Sequence, residues 1–134
     1  MTISKAKALA WMWFSRFIRL RPQANIPEGS RRCVTCGRVC PTKGTGAIHA
    51  GHFVPGRSNA VLYDEHNCHP QCFACNLYNA GAWVEYERFI ISEYGEPECE
   101  RLKALRFKVL HMSIQEHLEV AEKYRLKVEE LGGW

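Results

Sequence analysis

Apolar residues recur at helical spacing in four stretches of the chain. The first stretch is apolar on almost every face, which is typical of a helix buried in the core or against a partner chain. Gly95 ends the second helix, and Pro97 fits the first turn of the third. Ser113 and Glu116 have the spacing of a capping box at the start of the fourth, which Gly132 ends. The predicted helices cover residues 4–20, 83–94, 97–106 and 114–131.

The middle of the chain alternates short apolar runs with residues that favour turns, which predicts small strands. We expect a loop at 21–30, a knuckle with a turn at 31–46, strands at 47–54 and 67–71, a polar loop at 55–66, and the start of a helix at 73–80. These elements predict an α+β fold. It divides into an N-terminal helix and linker (1–30), a core (31–95) and a C-terminal helical extension (96–134).

The chain contains seven cysteines, which is a high count and an odd one. A disulfide scaffold pairs its cysteines and would normally have an even number. Four of them form the pattern C-x2-C-x35-C-x2-C, with Cys33 and Cys36 in one pair and Cys72 and Cys75 in the other. Two such pairs supply the four thiolates that a tetrahedral structural zinc requires. The pattern therefore predicts a closed, non-catalytic zinc site that staples a small core. Cys40, which could compete with Cys36 as a ligand, is better interpreted as a buried thiol, and the roles of Cys68 and Cys99 stay open.

Charge is distributed unevenly along the chain. Residues 1–60 carry ten Lys or Arg and one acid, a net charge of +9, whereas residues 61–134 carry eight Lys or Arg and thirteen acids, a net charge of −5. A basic half favours a nucleic-acid partner, although it could instead pack on the acidic half or on a second subunit. The candidate DNA contacts are Arg31, Arg32, Arg38, Lys43 and Arg57.

Residues suited to hydrolytic chemistry lie between and after the cysteine pairs. The strings are Ala50-Gly51-His52-Phe53, Asn67-Cys68-His69-Pro70-Gln71-Cys72 and Cys75-Asn76. This order resembles the HNH (ββα-metal) nucleases and is similar to the endonuclease VII family of phage resolvases. It also resembles the NinG/Rap recombination proteins of lambdoid phages over roughly residues 30–130. The resemblance implies a treble-clef-like ββα-metal core held by the zinc.

The same resemblance implies a role for each polar residue. His52 would be the general base, with its second ring nitrogen held by a backbone carbonyl. Asn67 would brace the loop that holds His52, because an amide both donates and accepts hydrogen bonds. Asn76 would be a ligand of a catalytic Mg²⁺ or Mn²⁺.

The chain departs from the resemblance at Gly51. Many HNH enzymes have a metal-ligating Asp or His directly before the base, and glycine offers no ligand. His49 and His69 are the candidate replacements. Because residues 49 and 52 differ in strand parity, His49 would need a bulge to face the same side as His52. His69 could equally support another ligand or contact a phosphate.

Together these features predict a metal-dependent DNA endonuclease. Through the NinG/Rap resemblance, its substrates would be branched recombination intermediates such as Holliday junctions and D-loops. A zinc-dependent DNA-binding protein without catalysis and a protein-interaction module are the alternatives. The apolar first helix predicts a homodimer. No apolar stretch is long enough to span a membrane, and arginines interrupt the apolar start of the chain, so we expect the cytoplasm of a bacterial host.

Overall fold

A β-hairpin between two helical layers organises the chain. The computed structural model describes residues 1–55 and 58–134, so the predicted DNA contact Arg57 lies outside the described residues. The helices are α1 (Ile3–Leu20), α2 (Asn59–Leu62), α3 (Trp83–Tyr94), α4 (Glu96–Ala104) and α5 (Ile114–Glu130). The strands are β1 (Ser30–Arg32), β2 (Val39–Pro41), β3 (His49–His52) and β4 (Cys68–Gln71). A π-helical turn (Ala74–Tyr78) follows β4, and a 3-10 turn (Leu105–Phe107) follows α4. This mixture of helices and small sheets confirms the predicted α+β class.

The central hairpin pairs β3 with β4 in antiparallel register. His49 lies opposite Gln71, Gly51 opposite His69, and His52 opposite Cys68. Because alternate residues of a strand point to opposite faces, His49, Gly51, His69 and Gln71 share one face, and Ala50, His52, Cys68 and Pro70 share the other. The first face meets α3 and the π turn, and the second meets α1. The hairpin therefore presents different polar residues to two different layers.

The N-terminal helix is covered by the chain's own C-terminal helix. Phe14, Phe17 and Ile18 of α1 are buried with Tyr124 and Val128 of α5. The rings of Phe14 and Tyr124 meet edge to face with centroids 4.8 Å apart, a geometry that stabilises aromatic pairs. The apolar face that suggested a partner chain is thus buried within the protein. The homodimer loses that support and stays a prediction.

Local capping signals set the ends of the long helices. The Thr2 hydroxyl accepts a hydrogen bond from the Lys5 amide at the start of α1. The capping box predicted at Ser113 and Glu116 is present in both directions at the start of α5. Gly95, with a φ of 91°, ends α3 where the sequence predicts.

Three predicted segments differ from the structure. The knuckle at 31–46 contributes to a second hairpin, in which Arg31 of β1 pairs with Cys40 of β2. The segment expected as a loop at 55–66 contains α2, because the Ser58 hydroxyl caps the helix and its own residues Val61 and Leu62 are buried. The helix expected at 73–80 is a π turn instead. Within the described residues, no helix is long and apolar enough to cross a membrane.

Candidate functional site

The two C-x-x-C pairs meet in one cluster. The Sγ atoms of Cys33, Cys36, Cys72 and Cys75 all lie within 4.8 Å of one another, and those of Cys36 and Cys72 are 3.6 Å apart. Thiolates that bind one zinc at 2.3 Å in a tetrahedron are separated by about 3.8 Å. The four cysteines are therefore positioned to hold a metal ion, and their chemistry fits a structural zinc.

The protein environment shifts the pKa values of two of these thiols in opposite directions. Burial opposes ionisation of Cys33, but hydrogen bonds from the Thr35 hydroxyl and from backbone amides lower its pKa to about 7. Burial raises the pKa of Cys75 to about 12, and the neighbouring thiols add to that rise. A bound cation stabilises the ionised form of every thiol in the cluster, so Cys75 would also bind as a thiolate despite its burial. The other cysteines, Cys40, Cys68 and Cys99, are buried free thiols outside the cluster, which confirms the interpretation of Cys40.

His52 ends β3 with its imidazole held on two sides. Its Nε2 donates a hydrogen bond to the Leu62 carbonyl at 3.0 Å, so the expected backbone contact is confirmed. Because a carbonyl only accepts, Nε2 carries the proton and Nδ1 carries the lone pair. The Trp11 ring stacks on the imidazole with centroids 5.0 Å apart. These contacts fix the tautomer and the plane of the ring, which a general base requires.

Asn67 is fully buried and ties together the chain that follows His52. Its Oδ1 accepts from the Val54 amide at 2.7 Å, and its Nδ2 donates to the Val54 carbonyl at 3.1 Å. The same amide also donates to the Val61 carbonyl at 3.4 Å. The structure thus places Asn67 as the sequence predicts, as a brace for the loop after His52.

Asn76 faces the hairpin from the π turn. Adjacent residues of a helical turn point in different directions, so one turn aims Cys75 at the sulfur cluster and Asn76 at β3. The Asn76 Nδ2 donates to His49 Nδ1 at 3.1 Å. His49 accepts because burial, and then the positive charge of Arg19, lower its pKa and keep the ring neutral. His49 therefore orients the Asn76 amide through Nδ1, and its role as a metal ligand stays a prediction.

His52 and Asn76 line one cleft of about 300 Å³. His49, whose strand parity differs from that of His52, is not among the described lining residues of this cleft. The other lining residues are Phe53, Pro55, Ala80, Gly81 and Trp83. We name this space the His52–Asn76 cleft.

His69 is not among the described lining residues of that cleft. The single proton of the Tyr86 hydroxyl goes to the Gly51 carbonyl at 2.6 Å, so His69 Nδ1 donates to the Tyr86 oxygen at 3.2 Å. Its Nε2 accepts from the Tyr94 hydroxyl at 2.8 Å. Burial lowers the pKa of His69 to about 2. Both nitrogens are engaged, so this arrangement offers no lone pair for a metal, contrary to the tentative metal-ligand assignment.

The buried His69 makes stability depend on pH. The fold holds the ring neutral, whereas the unfolded chain takes up a proton below its ordinary pKa of 6.5, so stability falls as the pH falls from 6.5 towards 2. Between pH 7 and pH 5 this histidine alone is expected to cost about 2 kcal/mol. His69→Gln should reduce the difference between urea unfolding curves at the two pH values, and His111→Gln, at an exposed position, should leave it unchanged. Equal pH dependence in all three proteins would contradict this prediction.

The described basic candidates divide into two groups. The Arg31 guanidinium donates to the carbonyls of Leu20, Arg21 and Ser30, so it serves the end of α1 and is the weakest candidate for a DNA contact. Arg32 donates to the Gly37 carbonyl but stays exposed, as do Arg38 and Lys43. These three residues remain predicted DNA contacts.

A cluster of cations surrounds Trp134. Lys43 lies 4.6 Å from the ring centroid, Arg19 lies at 4.4 Å, and Arg16 lies at 5.2 Å. Arg19 also acts on His49, so the cluster extends towards the residues that orient Asn76. Three cations of the basic half therefore gather on one aromatic ring, a concentration of positive charge that would attract a polyanion.

Sequence reasoning missed the roles of Trp11 and Gln71 in this region. Trp11 was expected in the core or an interface, and its aromatic character was the only signal. Gln71, directly before Cys72, is fully buried and donates a hydrogen bond to the carbonyl of Gly81, one of the residues that line the cleft. No pattern in the sequence singles it out.

Fold and site together define a small α+β protein with a four-cysteine metal centre beside a histidine–asparagine cleft. The family model described as Bacteriophage Lambda NinG protein matches residues 6–132, so the chain belongs to the NinG family of lambdoid phages. Proteins named "Protein ninG" from Escherichia phage lambda, Escherichia phage 933W and Salmonella phage P22 are each 25% identical to it over 100 residues. Each match covers 74% of this chain and 47% of the relative, so the matched region spans about half the length of those proteins. No solved structure matches the chain significantly.

Proposed function

We propose that this protein is a metal-dependent DNA endonuclease of the HNH type, similar to the endonuclease VII resolvases. The observation that carries the proposal is that His52 and Asn76 line one cleft, each with its orientation fixed by a hydrogen bond. The β3–β4 hairpin followed by the π turn and α3 would be the ββα-metal core. Branched DNA from recombination is the proposed substrate, on the strength of the family resemblance.

The residues of the cleft suit phosphodiester hydrolysis. Nδ1 of His52 carries the lone pair that would take a proton from the attacking water, while Nε2 stays bonded to Leu62. Asn76 Oδ1 is a hard oxygen, which suits Mg²⁺ or Mn²⁺ better than zinc. A divalent ion held there would stabilise the negative charge on the phosphate and on the departing 3′ oxygen. The products would carry a 5′ phosphate and a 3′ hydroxyl.

Two structural points favour this proposal over a DNA-binding protein without catalysis. Gly51, which offers no metal ligand, is the main argument for that alternative. A Cβ at this position would lie 2.0 Å from Gln71 Oε1, so a ligating side chain here would have to displace the Gln71 amide. The tautomer of His52 that the Leu62 carbonyl selects is also the one that leaves Nδ1 as the basic nitrogen, as a general base requires.

A synthetic four-way junction and a linear duplex of matched sequence test the proposal. With Mg²⁺ or Mn²⁺ we expect cleavage of the junction in preference to the duplex, and none in EDTA. Asn76→Ala should raise the Mn²⁺ concentration needed for half-maximal cleavage by about tenfold or more, the effect of losing about 1.4 kcal/mol of binding. Asn79→Ala changes an exposed amide of the adjacent turn and is the control. Salt-dependent binding without cleavage under any ion would instead support the non-catalytic alternative.

A further inference from the structure

The side-chain amide of Gln71 has a fixed orientation and an unsatisfied oxygen. Its Nε2 donates to the Gly81 carbonyl at 2.9 Å and to the Thr35 hydroxyl at 3.2 Å. Because the carbonyl can only accept, the nitrogen must lie on that side of the amide. The Oε1 is buried and has no hydrogen-bond partner among the residues that the structure describes. A buried acceptor without a partner costs about 1–3 kcal/mol, so this atom favours a bound group that the described residues do not supply.

The Gln71 oxygen and the Asn76 oxygen converge above Gly51. A Cβ built on Gly51 would lie 2.0 Å from Gln71 Oε1 and 3.1 Å from Asn76 Oδ1. The two oxygens are therefore at most about 5 Å apart, a limit that includes the separation of about 3–4 Å between oxygens bound to one Mg²⁺. Only glycine leaves this space open, because any side chain at position 51 would displace the Gln71 amide.

The amides of Gln71 and Asn76 are held by separate partners, and each arrangement places the side-chain oxygen near Gly51. His49 accepts from Asn76 Nδ2, and Gly81 accepts from Gln71 Nε2. Two oxygens that only accept repel each other, and a cation between them reverses that repulsion. A pair of hard oxygens on rigid elements is a typical site for a small divalent ion.

We propose that Gln71 Oε1 and Asn76 Oδ1 bind the same divalent ion, with Gln71 occupying the space that Gly51 leaves open. This inference rests on the proposed function, because it names a second protein ligand for the ion beside His52. It also gives Gly51 a positive role: the ligand comes from the neighbouring strand instead of from position 51.

Mn²⁺ binding to the zinc-loaded protein, measured by electron paramagnetic resonance and calorimetry, tests the assignment. Gln71→Met keeps the length of the side chain but removes the oxygen, and we expect its Mn²⁺ affinity to fall about tenfold or more. Gly51→Ala keeps Gln71 but places a methyl group against Oε1, and the same loss is expected. The double variant Gly51→Asp with Gln71→Ala supplies a carboxylate from the open position and should recover affinity.

Zinc content and thermal unfolding, measured on every variant, separate loss of the ligand from loss of the fold. A folded Gln71→Met protein with wild-type Mn²⁺ affinity would overturn the inference, and wild-type cleavage alongside it would leave the proposed function standing. If Gln71→Met does not fold, the Gly51→Ala variant provides the test instead. Unchanged Mn²⁺ affinity in a folded Gly51→Ala protein would also overturn the inference. A wild-type protein that binds no Mn²⁺ and cuts no DNA would overturn both proposals.

Discussion

Replacing His52 with alanine is expected to slow cleavage of a four-way junction by about 10²–10⁴-fold, the usual contribution of a general base. The change removes the Nδ1 lone pair that would accept the proton of the attacking water. It leaves the four-cysteine centre and the described basic residues in place, so zinc content and junction affinity should not change. Rates measured under single turnover keep slow product release from hiding the chemical step.

His111→Ala is the matched control, because His111 is exposed on the segment before α5 and is not among the described lining residues of the cleft. It should cut at the wild-type rate. A His52→Ala protein that also cuts at the wild-type rate, with no contaminating nuclease in a mock preparation, would remove His52 from the mechanism.

Replacing Cys72 with serine is expected to abolish stoichiometric zinc binding and to unfold the core. Cys72 lies directly after β4, so its thiolate connects the central hairpin to the knuckle that carries Cys33 and Cys36. Apparent binding free energies of structural zinc are about 10–16 kcal/mol in small domains, similar to or larger than the total stability of a typical domain. Loss of one thiolate should therefore eliminate the cooperative thermal transition seen by circular dichroism.

Cys40→Ser tests whether any buried thiol near the cluster would have this effect. Cys40 is buried in β2 beside the cluster but is not one of its four sulfurs. Burying a hydroxyl there should cost about 1–3 kcal/mol while one zinc per chain is retained, measured by mass spectrometry of the metal. If Cys72→Ser retains zinc and melts like the wild type, the four-cysteine assignment is wrong.

Elements with long periodic patterns were predictable from the sequence, and short ones were not. The helix at 83–94 and the capping box at Ser113 carry their signals locally, so their observed ends agree with the expectation. Strands β1 and β2 have three residues each, too few for an alternating pattern to emerge. The π turn differs from an α-helix only in its hydrogen-bond spacing, which the side chains of Ala74–Tyr78 do not reveal.

The same distinction applies to the candidate site. The cysteine spacing predicts the cluster because each pair is local and four ligands are needed. The contact between Gly51 and Gln71 depends on the register of two strands, and that register places His69, not Gln71, directly opposite Gly51. The stacking of Trp11 on His52 depends on how α1 crosses the hairpin. Neither contact can be predicted from the spacing of residues or from the composition of the chain.

The pairing of α1 with α5 has a consequence for how the protein is made. A ribosome synthesises α1 early and α5 late, so Phe14, Phe17 and Ile18 stay uncovered until Tyr124 and Val128 have emerged. Contacts between such distant segments close a large loop and form late in folding. A nascent chain therefore exposes an aromatic helix to aggregation until α5 has been made. The same helix carries Trp11, which stacks on His52, so α5 covers the element that holds the imidazole in place.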